Sequence, residues 1–178
     1  MRNYYLDTNV LLSQYKLEDP FYRESLIIVK ALKDEEIRGF TSPLTIIEAC
    51  CFVSRNFPVR KGESHEVKVT SVSKTLKEIS KLRLTFISPL GDYPLSLNGQ
   101  EVQMPAVFHQ ALVLSPYGLK TLDIIHLSAA RYARQTGLDI RGFVTGDNDF
   151  IRSKKTLLSI IDMPIISPKE LVDTLGLS

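Results

Sequence analysis

Near the start of the chain, the run Asn3-Tyr4-Tyr5-Leu6 breaks off in Asp7-Thr8-Asn9, and apolar spacing resumes at once with Val10-Leu11-Leu12. Aromatic and aliphatic side chains suit a pleated, buried surface. Asp, Thr and Asn instead compete with the backbone for hydrogen bonds and favour helix starts. The run therefore reads as a buried strand that hands a carboxylate to the beginning of a helix. In an open parallel sheet, ligands bind beyond the carboxyl ends of the strands, and Asp7 is expected there.

Three further places set acids among apolar neighbours: Glu48 in the helical run 43–53, Asp123 in the helical run 119–127, and Asp147 with Asp149 at the end of the strand-like run 142–145. Carboxylates are rarely buried without a partner. Two of them about 4 Å apart repel by roughly 4 kcal/mol at an effective dielectric near 20. Several acids on apolar elements thus ask for a shared cation, and hard oxygen donors without accompanying His or Cys select Mg2+ or Mn2+ over Zn2+. Asp7, Glu48, Asp123 and Asp147 are the candidate catalytic residues. Asp7, Asp123, Asp147 and Asp149 are the candidate metal ligands, and Thr8, Asn9 and Thr145 the groups that would hydrogen-bond them or a phosphate. Each acid also has an ordinary structural use: Asp7 and Asp123 as helix caps, Asp147 and Asp149 as turn residues, and Glu48 as a partly exposed helix residue.

The four stations Leu6-Asp7-Thr8-Asn9, Thr45-Ile46-Ile47-Glu48, Leu122-Asp123-Ile124-Ile125-His126-Leu127 and Val144-Thr145-Gly146-Asp147-Asn148-Asp149-Phe150 occur in an order that resembles the PIN-domain nucleases. The resemblance extends from Tyr5 to about Pro168. It implies a three-layer α/β/α fold with a central parallel sheet of about four to five strands. It also implies a Mg2+- or Mn2+-dependent endoribonuclease that cuts RNA by water attack and leaves a 5′-phosphate. RNA is the implied substrate and a homodimer the implied assembly. An antitoxin protein is a candidate partner, as in toxin-antitoxin pairs; a stand-alone RNA-processing enzyme and a non-catalytic scaffold are the alternatives. A haloacid-dehalogenase-like phosphatase would also place an Asp after its first strand, but that chemistry wants a second acid two residues on, where this chain has Asn9.

A chain of 178 residues with 44% hydrophobic and 24% charged residues is expected to fold as one globular domain, residues 1–178. No apolar run is long enough for a membrane helix and no leader is apparent, so a cytoplasmic location is expected. The adjacent Cys50 and Cys51 read as small packing residues in a reducing compartment. Net charge is +2; with four site carboxylates neutralised, 16 of the 20 acids remain against 22 bases. This surplus permits a polyanionic substrate. Arg152, Lys154 and Lys155 directly follow the last acids and are the candidate substrate-binding cluster.

The remaining pattern alternates strand and helix, which predicts a parallel sheet flanked by helices. Helices are expected from Pro20, with Asp19 as cap, over 43–56, over 63–84, over 105–114, from a Thr121 cap to Gln135, and over 169–175. Further strands are expected at 38–42, 85–89, 139–145 and, at an edge broken by Pro164, 160–166. Arg60-Lys61-Gly62 reads as a basic loop. Tyr93 to Val102 alternates about Asn98-Gly99, a strong hairpin signal, and a small β-hairpin insertion is predicted beside the site. His126, one turn after Asp123, reads first as a partly buried helix residue making one local hydrogen bond, with an approach to the site as the alternative.

Overall fold

The computed structural model describes residues 1–56, 65–88 and 91–177. The basic loop at Arg60-Lys61-Gly62 lies outside them. The elements in chain order are β1 (Arg2–Leu6), α1 (Thr8–Leu12), α2 (Tyr22–Lys33), β2 (Ile37–Thr41), α3 (Leu44–Asn56), α4 (His65–Ser80), β3 (Thr85–Phe86), β4 (Asp92–Leu97), β5 (Gln100–Pro105), α5 (Ala106–Leu114), α6 (Thr121–Gln135), β6 (Phe143–Val144), α7 (Asn148–Ile161), β7 (Ile165–Ile166) and α8 (Pro168–Leu175).

Five strands form one parallel sheet in the order β3-β2-β1-β6-β7. Strand β1 is central, pairing Tyr5 with Phe40 on one side and with Phe143 on the other. From β1 the chain passes to β2 on one flank, whereas β6 and β7 are laid down on the opposite flank. The crevice between the ends of β1 and β6 is therefore the switch point at which open α/β sheets bind ligands.

Alternation along β1 separates two cores. Tyr4 and Leu6 face α2 and α8, packing with Ile28, Leu32, Leu171 and Val172. Tyr5 faces the opposite layer, with Leu127 and Ala130 of α6 and Phe150 and Leu157 of α7. Its ring stacks on Phe143 at 5.2 Å between centroids, and Phe143 meets Phe150 at 5.0 Å. Fully burying such side chains contributes roughly 1.5–3 kcal/mol each. The result is a parallel sheet flanked by helices, as the alternating pattern predicts.

Gly39 in β2 marks the closest approach of the α2 layer. A Cβ there would stand 2.7 Å from Leu84 Cδ2 and 2.8 Å from Leu32 Cδ2. Both atoms are the ends of flexible side chains, so Gly39→Ala is expected to fold with a loss of about 1–3 kcal/mol from overpacking, measured by urea denaturation. An unchanged midpoint would show that this layer repacks freely.

Several expected boundaries shift. Residues 160–161 belong to α7, not to an edge strand: Phe150, Leu157 and Ile161 continue one buried helical stripe, and Asp162 ends it in the left-handed region at φ 52°. Only Ile165–Ile166 form β7. Strand β6 is two residues long rather than spanning 139–145, because Ile140 turns back on Leu138 and Arg141 bonds the Asn3 carbonyl. Helix α4 stops at Ser80, and Lys81 and Leu82 turn towards β3. Thr121 is the first residue of α6 and caps nothing; Lys120 holds the cap position. Similarly, Asp19 accepts from Phe21 N in a turn before α2 and is not its cap residue.

The hairpin is present as β4 and β5, with Asn98 and Gly99 at φ 50° and 80°, the positive angles of its two-residue turn. It leans on α5 through Tyr93 stacked on His109 at 4.6 Å. Among the described residues, no side chain of β4 or β5 forms a hydrogen bond or ion pair with a site carboxylate, and no helix is long and apolar enough to cross a membrane.

Candidate active site

Parallel polarity brings the ends of β1, β2 and β6 to one edge of the sheet, and each releases a segment carrying a predicted residue. Asp7 follows β1 and is 5% exposed. It occupies the position before α1 yet makes no side-chain cap bond, so helix capping does not account for its burial. Its Oδ2 accepts from Asn9 Nδ2 at 2.6 Å and from Thr145 Oγ1 at 2.7 Å. Asn9 Oδ1 in turn accepts from the Gly146 N–H at 2.9 Å. Asp7, Asn9 and Thr145, expected to work together, are thus one bonded unit across the β1–β6 crevice.

Thr145 is fully buried and stitches this unit: it donates to Asp7 and accepts from Asn9 Nδ2 and from the Asp147 N–H at 3.1 and 3.0 Å. Thr145→Val keeps the shape and leaves those donors unpaired. The expected cost is about 1–3 kcal/mol, read as a lower denaturation midpoint. A midpoint equal to that of the native chain would mean that the hydroxyl network carries no net stability.

Glu48 sits one turn after Thr45 on α3, and both side chains meet Thr8 of α1. A ladder of hydroxyls, Thr41 to Thr45 at 2.6 Å and Thr45 to Thr8 at 3.0 Å, leads to the carboxylate. Thr8 Oγ1 donates to Glu48 Oε2, and His126 Nε2 reaches the same oxygen at 2.8 Å. Burial is the largest influence on Glu48 and raises its pKa, but the bonds from His126 and Thr8 outweigh it, so the net shift is downward.

Of the two readings of His126, the structure gives the approach to the site and not the single local hydrogen bond. The residue is 1% exposed, and its bonds are long-range rather than local: Nδ1 lies 3.2 Å from both Tyr5 Oη and Ser42 Oγ, while Nε2 faces Glu48 and stands 3.9 Å from Asp7 Oδ1. Burial alone would lower its pKa; the Glu48 bond and the charges of Asp7, Glu48 and Asp123 prevail and raise it. Asp123 and His126 lie three residues apart on α6, one face of a helix. That spacing was the sequence signal for His126, and only the pairing of α6 with β1 and α3 gives it force.

Asp123 lies in the first turn of α6. Its Oδ2 is buried with no hydrogen-bond partner among the described residues. Burial, then the charges of Asp7 and Asp147, push its pKa up to about 6 from the ordinary 3.8. Asp147 and Asp149 sit further out. Asp147 Oδ1 caps α7 by accepting from the Asp149 N–H at 2.7 Å. Lys120 Nζ, which no sequence motif marks, bridges the two at 3.3 and 3.2 Å. Asp149 is half exposed there, so the turn-and-cap reading describes this pair better than it does Asp7 or Asp123.

Of the basic cluster after the acids, Lys154 is engaged by a neighbouring helix. Lys154 pairs with Glu170 of α8 at 3.2 Å, and neither Arg152 nor Lys155 forms an ion pair with a site carboxylate among the described residues. Cys50 is half-buried and Cys51 is exposed, so of the two only Cys50 is even partly packed.

Asp7, Glu48 and His126 offer donor atoms that all lie within 4.8 Å of one another. The orphaned Asp123 oxygen, together with the mutual repulsion that raises its pKa, fits a group that brings positive charge. The donor set is therefore not all oxygen, as the sequence suggested: one imidazole nitrogen stands among the carboxylates. In the geometry observed, that nitrogen is engaged with Glu48. No family model matches the chain, and no curated protein or solved structure is significantly similar to it.

Proposed function

We propose that this chain is a divalent-metal-dependent endoribonuclease of the PIN-domain kind. The observation that carries the reading is Asp123: a carboxylate with a buried, unpartnered oxygen, where burial and then the charges of Asp7 and Asp147 lift its pKa to about 6. Folding does not place such a group without a compensating charge at low cost. Asp7 and Asp123 would hold the cation, with Glu48 and Asp147 completing its surroundings. With the His126 nitrogen engaged by Glu48, the donors left to a cation are carboxylate oxygens, which fit Mg2+ or Mn2+. When bound, such an ion supplies Lewis acidity towards water and the phosphate oxygens.

The chain's own residues do the positioning. Asn9 and Thr145 fix the Asp7 carboxylate from two sides, leaving Oδ1 turned towards the imidazole. His126 and Thr8 hold Glu48 ionised, which keeps it an acceptor able to orient or deprotonate water. Lys120 at the rim is the nearest cation to Asp147 and Asp149 and is 66% exposed, placed to meet a phosphate. A phosphatase of the haloacid-dehalogenase kind is disfavoured, because position 9 holds an amide, which cannot transfer a proton and here ties Asp7 to Gly146. An antitoxin partner and a homodimer are compatible with this reading and rest on the resemblance alone.

The test is cleavage of a labelled single-stranded RNA pool by the native chain and by Asp7→Asn, with EDTA, Mg2+ or Mn2+. Cutting that needs the metal and disappears in the variant is the expected result. Folded protein that binds RNA but cuts under none of these conditions would favour the scaffold.

A further inference from the structure

Beside the acid cluster, one stripe of α3 carries Glu48, Phe52 and Arg55 at helical spacing. The stripe forms a wall of an open groove of about 410 Å³ whose other walls include Lys16 and Leu122. The groove runs directly off Glu48. Glu48 contributes its carboxylate to the lining, and both other charged lining residues, Lys16 and Arg55, are basic. Neither has an acidic partner within ion-pair distance among the described residues, whereas Lys120, Lys154 and Arg134 are all paired. Lys16 is held at the wall by its ammonium, 5.0 Å from the centroid of the Phe52 ring. Ile47 and Leu122, 60% and 45% exposed, add apolar surface at the same place.

We propose that this groove is the track of single-stranded RNA on one side of the scissile phosphate, with Lys16 and Arg55 contacting backbone phosphates and Ile47, Phe52 and Leu122 giving the bases an apolar wall. The proposal rests on the nuclease reading and names the substrate path for it. Unpaired cations beside apolar and aromatic surface are what an unstacked strand requires, since phosphates take the charge and base faces the dry wall. A polyanion cannot approach four carboxylates unaided; two free cations on the approach offset that repulsion. The track also relocates the basic contacts from Arg152, Lys154 and Lys155, which follow the acids in sequence, to residues that precede and follow Glu48.

The experiment measures binding apart from cutting. Fluorescence anisotropy of a labelled single-stranded RNA oligonucleotide is followed on the full chain carrying Asp123→Asn, alone and with Lys16→Glu, Arg55→Glu or both. Lys30→Glu, at an exposed position of α2, serves as the charge control. Each reversal in the groove is expected to weaken binding roughly tenfold and to make the logarithmic salt slope shallower by about 0.7 for each phosphate that is no longer neutralised; Lys30→Glu should do neither. Both side chains are exposed, so folding is not at stake, and Lys16→Gln and Arg55→Gln should give smaller losses in the same order. Unchanged affinity and slope in the double reversal, with native protein that still cuts RNA, would overturn the track and leave the nuclease reading standing. Weakened binding in a chain that never cuts would uphold the track and overturn the nuclease reading.

Discussion

Asp123→Asn is expected to abolish RNA cleavage, by roughly a thousandfold or more, while making the cation-free protein more stable at neutral pH. Both effects have one cause. Burial and the charges of Asp7 and Asp147 lift the native pKa of Asp123 to about 6, above the ordinary 3.8. An acid whose native pKa is raised binds more protons folded than unfolded between those values. Its contribution is therefore intact below about pH 4 and is lost as pH rises through about 6. The side chain is only partly buried, and after discounting for solvent screening the loss is on the order of 1 kcal/mol. The amide has no charge to lose, so in EDTA at pH 7.5 the variant should melt about 2–4 °C above the native chain. Adding Mn2+ should close that gap by stabilising the native chain alone, and should do so at pH 7.5 far more than at pH 5. A variant that melts lower than native in EDTA would show that Asp123 is not repelled by its neighbours.

The second large effect is expected at His126. Its imidazole is the buried group that joins β1, α3 and α6, through Tyr5, Thr8, Ser42 and Glu48. His126→Ala removes a packed ring and leaves Glu48 without its imidazole partner, and breaking such a buried pair costs about 3–5 kcal/mol. The pH dependence has a definite sign. His126 has a raised native pKa, so its charge-linked stabilisation is complete below its unfolded pKa and fades as pH climbs through the native one. The difference in unfolding free energy between native and His126→Ala, from urea melts, should accordingly narrow on going from pH 6 to pH 9. A difference that stays constant would mean that the histidine acts only by filling space.

What was legible in the sequence followed from local chemistry. An apolar strand that stops at Asp7, a helix that carries Glu48 among aliphatic residues, and the Asn98-Gly99 turn each state their structure within a few residues. The parallel sheet follows, because short strands separated by helices leave little else. The elements that escaped were those decided by neighbours. Residues 160–161 could have extended a strand, and only the buried stripe they share with Phe150 and Leu157 settles them as helix. Lys120 looks like an ordinary solvent-facing lysine until α6 and α7 bring it between Asp147 and Asp149. His126 is one lone histidine three residues from an acid, and its polar partners come from β1, α1, α3 and the turn between β2 and α3, all distant in the chain. Lys16 and Arg55 carry no motif at all; their shared groove exists only after α3 packs beside α1.

Whether a cation among these carboxylates directs water at RNA is tested most directly by single-turnover cleavage of a 5′-labelled RNA as Mg2+ is titrated. The prediction is a rate that is nil in EDTA and rises to saturation with Mg2+, giving fragments that carry a 5′-phosphate and a 3′-hydroxyl. Cleavage that persists in EDTA, or fragments ending in a 2′,3′-cyclic phosphate from attack by the RNA's own 2′-hydroxyl, would contradict it.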